Sequence, residues 1–271
     1  MKKLSKADSP MLAAVIKEKD ALFAVSEIKK AEENGADLID LHLSCLEKAD
    51  IPSLKSIMAE TRLPVLALNY NITEKGQPKS LSEEERTASL ITAAKAGATG
   101  VDLQGYTFDL KSRDGFFGEN KYSFTKGNPK EIVTDEAIIN KQIAFIEEVH
   151  NAGAEALLSC HPGIFMNTDT LVELALFLEK RNPDVIKIVT VANNEEELLE
   201  SFKSITVLKK EVKTTVSFHA SGTSGKLSRI VNPLLGSHLI FCVNSHKEGS
   251  IPEQPVLKDV RDIIDTVKKL I

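Results

Sequence analysis

Val185-Ile-Lys-Ile-Val-Thr190 is a six-residue run dominated by β-branched side chains. It is short for a helix and too continuously apolar for a sheet with one wet face, so it reads as a strand covered on both sides. Strands of that kind belong to parallel sheets, where the crossovers are helices. The neighbouring sequence supplies one. Asn194, followed by Glu195, Glu196 and Glu197, is an N-cap with acidic residues in the first turn, and predicts a helix over Asn194–Lys209. Working outward, strands are expected at Met11–Ile16, Leu38–Leu43, Pro64–Leu68 and Gly100–Gln104, then at Ala156–Ser159, Thr214–Phe218 and Leu239–Val243. Helices are expected over Asp20–Glu33, Ser82–Ala96 (with a glycine stop at Gly97), Asp135–Ala152 and Leu257–Leu270. The spacing of about 25 to 35 residues is the βα rhythm of a parallel sheet. Eight strands, each followed by a helix, predict an α/β fold: a (β/α)8 TIM barrel in a single domain over residues 1–271. No G-x-G-x-x-G follows the first strand, so the main sign of an open dinucleotide-binding sheet is missing.

Composition narrows the function classes. The chain is 42% hydrophobic and 27% charged with a net charge of −5, and no basic stripe is interleaved with aromatics, which argues against a nucleic-acid partner. Trp is absent and only three Tyr occur, which disfavours a stacking platform. There is no apolar run of membrane-spanning length, and the Met1-Lys-Lys start lacks the apolar core of a signal peptide, so the expected partner is not a membrane and the expected location is cytoplasmic. Cys45, Cys160 and Cys242 form no C-x-x-C pair and read as buried thiols. No H-E-x-x-H or H-x-H spacing occurs, so no metal is expected. A homodimer through outer helices is the expected assembly.

Within the opening run, Lys187 is the costly residue. An ammonium in a strand covered on both faces is expensive; burial favours the neutral amine, which is a carbonyl nucleophile. The alternative is a lysine whose long stem carries its charge out to water. Barrel sites are built at the C-terminal ends of strands, so the polar residues there are the candidates. Strand two offers Asp40 and His42, two apart and therefore on one side. The exit of strand three gives Tyr70, Asn71 and Glu74, and strand four ends in Gln104. Strand five runs into Ser159-Cys160-His161. Beyond strand seven come His219-Ala-Ser-Gly-Thr-Ser-Gly225 and Arg229, and strand eight leads to Asn244, His246, Ser250 and Gln254. His161 lies one strand before Lys187, and adjacent strands are about 4.8 Å apart, so the two side chains could meet over a small ligand. Imine chemistry needs such a pair, because several protons move; a loop histidine bonded to backbone is the alternative. The Ser221–Gly225 stretch could offer amides to an anion, or serve only as a turn. Residues 105–134 form an unusually long connection with Gly115, Gly118 and Gly127: a lid over the site, or a surface insertion.

These residues resemble the type I 3-dehydroquinate dehydratase family, a Schiff-base-forming TIM-barrel family of the shikimate pathway and aromatic amino acid biosynthesis. The likeness runs from about Pro10 to the C-terminus. It is carried by Ser159-Cys160-His161, by Val185-Ile-Lys-Ile followed by Asn194-Glu-Glu-Glu-Leu198, by Leu227-Ser-Arg229, by Ser250-Ile-Pro-Glu-Gln254 and by Glu74 in Thr73-Glu-Lys-Gly76. The resemblance implies that Lys187 forms an imine with a hydroxy-ketone carboxylate and that His161 is the general acid/base, oriented by Glu74. It implies that Arg229, Ser250 and Gln254 hold the substrate, with Asp40, His42, Tyr70 and Gln104 at the remaining contact positions. No cofactor is implied, since the iminium is itself the electron sink. The sequence departs from the family where strand two reads Asp40-Leu-His42 instead of acid-x-Arg, where Tyr70 replaces an arginine, and where Gln104 replaces an acid. Three readings follow: a dehydratase making 3-dehydroshikimate and water from 3-dehydroquinate; a paralogue running lysine-imine dehydration or class I aldolase chemistry on another hydroxy-ketone; and a non-catalytic metabolite-binding barrel.

Overall fold

The computed structural model describes residues 3–7, 10–70, 81–109, 132–247 and 252–270. Among them, eight strands alternate with eight α-helices. The first half of the chain holds β1 (Met11–Ile16), α1 (Ala21–Glu33), β2 (Leu38–His42), α2 (Ile51–Ala59), β3 (Val65–Leu68), α3 (Glu83–Ala96) and β4 (Gly100–Gln104). After these come α4 (Glu136–Asn151), β5 (Glu155–Cys160), α5 (Thr168–Glu179), β6 (Val185–Val191) and α6 (Glu195–Glu211). The chain finishes with β7 (Thr215–Ser221), α7 (Ser228–Leu235), β8 (Leu239–Cys242) and α8 (Leu257–Leu270). The strands form one sheet in the order β7-β6-β5-β4-β3-β2-β1-β8.

Local chemistry fixes the helix starts. Asp20, Asp50, Asn167 and Asn194 each accept a backbone N–H of their helix's first turn, and Ser82 with Glu85 forms a reciprocal capping box. Gly97 ends α3 at φ 111°, where a side chain would be strained. Five C-terminal strand ends differ from the expected ones, those of β2, β5, β6 and β8 by a single residue. β2 stops at His42, because Leu43–Cys45 turns into a 3-10 helix closed by Leu46 N–H to Leu43 O at 3.1 Å. β7 runs three residues past Phe218, because Val189 pairs with His219 and Val191 with Ser221. No helix among the described residues is long and apolar enough to cross a membrane.

Two compact units make up the chain. The first holds residues 1–102, 151–155 and 239–271, and packs Leu12, Ile28, Leu38, Leu54, Leu66, Leu90 and Ile264 with almost no solvent exposure. Its β3 exit is braced by Arg86, a fully buried cation held by both carboxylate oxygens of Glu83 (2.9 and 2.7 Å) that donates to Asn69 O at 3.1 Å. The second holds residues 103–150 and 156–238, with a core of Ile146, Leu158, Leu174, Ile186, Ile188, Ile205 and Phe218.

Candidate active site

Register places the chemistry of the second unit on one sheet face. Lys187 on β6 pairs with Ser159 on β5 and with Ser217 on β7. In parallel pairing, partners point to the same side and alternate residues share a face. Ser159, Lys187 and Ser217 therefore form one polar rung, and Val189 and His219 the next rung toward the strand ends. His161 follows Ser159 by two residues, just past the end of β5. The opposite face carries Leu158, Cys160, Ile188 and Phe218, all buried, so Cys160 turns away from Lys187 despite sitting between Ser159 and His161. Lys187 is 7% exposed, which favours the buried reading over a stem reaching water.

Electrostatics ties the group together. Burial pulls the His219 imidazole well below its ordinary basicity, and the charges of Arg229, Lys187 and His161 push it the same way. Each of the three therefore acts electrostatically on His219. The residue is 5% exposed.

The strand exits are fixed by short-range bonds. At the end of β7, Ser228 Oγ accepts from Ala220 N–H at 2.8 Å and donates to Gly225 O at 2.6 Å. Asn232 Nδ2 donates to Phe218 O at 3.1 Å and Ser201 Oγ at 3.0 Å. A Cβ on Gly225 would lie 2.8 Å from the Ala220 carbonyl carbon, so only glycine lets the turn fold this tightly. The turn leads directly to Arg229, 8% exposed in the first turn of α7. The Ser224 and Gly225 amides bond to Ala192 O and Gly222 O, so Ser221–Gly225 is a turn feeding a helix. At the end of β4, where Gln104 is fully buried, Gln142 Nε2 donates to Gly105 O at 2.8 Å and Thr107 O at 2.9 Å, and its Oε1 accepts from Arg181 Nε at 2.7 Å. Gly105 N–H in turn bonds to Ser159 O at 2.7 Å.

In the first unit, a second polar group lies at the ends of β2, β3 and β4. His42 and Asp102 both pair with Leu68, one on each side. Tyr70 donates its hydroxyl to Asp102 Oδ2 at 3.1 Å, and its ring centre is 6.4 Å from that of His42. His42 Nε2 is 3.5 Å from Asp40 Oδ2, while the buried Asp40 Oδ1 has no hydrogen bond among the described residues. Gln254 is buried, whereas His246 is exposed. Asn244 Nδ2 is committed to Glu27, at 2.9 Å to its carbonyl and to its carboxylate. Glu74, Asn71 and Ser250 lie outside the described residues, as does most of the 105–134 segment. Among the described residues no three His, Cys, Asp or Glu side chains gather as a metal site would require.

The sequence model of type I 3-dehydroquinase matches residues 128–271, more than half of the sequence. The chain belongs to the type I 3-dehydroquinase family. It is 27% identical over 246 residues to 3-dehydroquinate dehydratase of Methanosarcina acetivorans, covering 89% of each chain. To the enzyme of that name from Aromatoleum aromaticum it is 21% identical, covering 96% of this chain and 91% of the relative. Relatives so named are hydro-lyases, and the chain is an enzyme of that kind. Among solved structures, 3-dehydroquinate dehydratase of Geobacillus kaustophilus superposes with a TM-score of 0.75 at 18% identity, covering 99% and 96% of the two chains. The type I enzyme of Clostridium difficile, solved with covalently modified comenic acid, gives 0.75 at 16%, covering 98% and 95%. These likenesses establish the (β/α)8 barrel fold.

Two polar residues on these strand faces stand differently from what the sequence patterns suggested. His219 had been placed beyond β7 and lies within it. Asp102 sits two residues before Gln104 on the same strand face, so the alternation that pointed to Gln104 should have pointed to it as well.

Proposed function

We propose that this 3-dehydroquinase converts 3-dehydroquinate to 3-dehydroshikimate and water through an imine on Lys187. The observation that carries the reading is Lys187 buried in register between Ser159 and Ser217, in electrostatic contact with the His219 imidazole. A lysine in that setting is a poor structural element and a good amine nucleophile. The amine attacks the substrate ketone, water leaves, and the resulting iminium acidifies the adjacent C–H. His161 takes that proton and returns one to the departing hydroxyl, a role that calls for a group able both to accept and to donate a proton. Glu74 orients His161, and Arg229 grips the substrate carboxylate. Ser250, Gln254, Asp40, His42, Tyr70 and Gln104 serve the remaining carboxylate and hydroxyl contacts. The enzyme works without a cofactor, in the cytoplasm and as a homodimer, the last checked by light scattering on the eluted protein.

Borohydride trapping tests the reading: the protein is reduced in the presence of 3-dehydroquinate, weighed intact and mapped by peptides beside Lys187→Ala. An adduct confined to Lys187 and missing from the variant is expected. A folded protein that gives none would end the assignment of this substrate. A second reading, the same imine chemistry on another hydroxy-ketone, is favoured by one observation. Tyr70, hydrogen-bonded to Asp102, stands where the family has an arginine. Growth of a dehydroquinase-deficient strain on this gene would decide against that second reading.

A further inference from the structure

His219 has no part in the chemistry assigned so far, yet it is the best-placed unused group in the second unit. It shares its sheet face with Lys187 and stands one rung nearer the strand ends on the adjacent strand. Alternate residues of paired strands share a face, so an oxygen bound at the Lys187 amine lies on the side of the sheet that carries the imidazole. The residue is only 5% exposed, and the electrostatic influence of Arg229, Lys187 and His161 upon it places those groups nearby.

We propose that His219 is a second catalytic imidazole, a neutral hydrogen-bond donor to the substrate's ketone oxygen while Lys187 attacks the carbonyl carbon. This rests on the imine reading above. The lone pair of the Lys187 amine forms the C–N bond, and the carbonyl π pair moves onto oxygen, where His219 N–H receives it. One proton of the new C–N nitrogen passes to that oxygen, giving the carbinolamine, and His219 ends with the proton it began with. The nitrogen lone pair then forms C=N as the C–O bond breaks, and the oxygen leaves as water with a proton from His161. His161 is thereby neutral and ready to remove the C–H proton. Burial and the surrounding positive charges keep His219 from joining that proton traffic. A neutral imidazole in a dry site still stabilises a developing oxyanion, and removing one such donor slows the step by about 10²–10³-fold.

The test is the single-turnover rate of borohydride-trappable adduct, measured with 3-dehydroquinate and, separately, with pyruvate as a generic 2-oxo acid. His219→Phe and His219→Met remove the donor, and His219→Gln keeps one; having two donor-free variants guards against one failing to fold. Unfolding midpoints are recorded for each. Donor-free variants that fold as the wild type does should form adduct at least thirtyfold more slowly, with His219→Gln recovering tenfold or more. Adduct formation within threefold of wild type in a donor-free variant would overturn the proposal, as would a Gln variant as slow as Phe. If the wild type traps pyruvate but not 3-dehydroquinate, the substrate reading fails and the His219 comparison is decided on pyruvate. If the wild type traps neither, both fall.

Discussion

Gln142→Leu is expected to be among the most damaging single changes away from the strand ends. The residue is fully buried and makes three bonds at once: to Gly105 O at 2.8 Å, to Thr107 O at 2.9 Å and from Arg181 Nε at 2.7 Å. Leucine preserves the volume and removes all three. A buried polar group deprived of its partner costs about 1–3 kcal/mol, and the Arg181 contact falls at the upper end because the donor is a cation. Burial already disfavours the Arg181 cation and lowers its pKa to about 10, and its other bonds go to the carbonyls of Val133 and Phe177, which bring no countercharge. The three losses are neighbours and share one network, so they do not add fully; a net loss of about 3–5 kcal/mol is expected. Urea unfolding followed by circular dichroism measures it directly. Gln142→Glu is the informative companion. It offers Arg181 a carboxylate yet turns an acceptor toward two carbonyls, so its loss should be smaller than for leucine but not zero. A Gln142→Leu variant within about 1 kcal/mol of wild type, with an unchanged denaturant slope, would refute the view that this network braces the β4 exit.

Two further outcomes follow from the same geometry. Because burial lowers the His219 pKa in the folded state below the ordinary 6.5, the unfolded chain takes up that proton first. The resulting stability is complete above about pH 6.5 and is lost as pH falls from there toward the folded value. Urea midpoints should decline over this range in the wild type and decline less in His219→Phe; parallel profiles would contradict the assignment. Gly225→Ala forces a methyl to within 2.8 Å of the Ala220 backbone and should cost about 1–3 kcal/mol. It should also raise KM through displacement of Arg229, and a variant with wild-type midpoint and KM would show the turn to be tolerant.

Much of the fold was legible because parallel strands and amphipathic helices leave periodic marks. β1, β4 and α8 fall where the pattern placed them, and the Asn194 and Ser82 starts were readable from side-chain chemistry alone. Lys187 was legible because its charge contradicted its surroundings. His219 was not, because Ala220-Ser221-Gly222 looks like a turn. β7 continues through it only because β6 supplies pairing partners as far as Val191, which is a fact about another strand. The Gln142–Arg181 network joins residues 39 apart through buried atoms that carry no local pattern. Sequence periodicity reports what one element does against solvent, and these residues are defined by what they do against each other.

The same distinction locates the divergence of this chain within its family. The groups proposed for the imine steps, Lys187, His161 and His219, and Arg229 for the carboxylate grip, belong to one contiguous run of strands and their exits. Tyr70, which the resemblance places at an arginine position of the family, gives its hydroxyl hydrogen to Asp102, so it cannot donate that hydrogen to a substrate carboxylate. On that reading a charged, bidentate-capable donor is missing at the β3 exit. Each lost charge-assisted contact is worth about 1.5–3 kcal/mol, tenfold or more in affinity. None of that loss touches the amine or the imidazoles, so divergence at Tyr70 should act on substrate affinity and choice while leaving the rate of the imine steps intact.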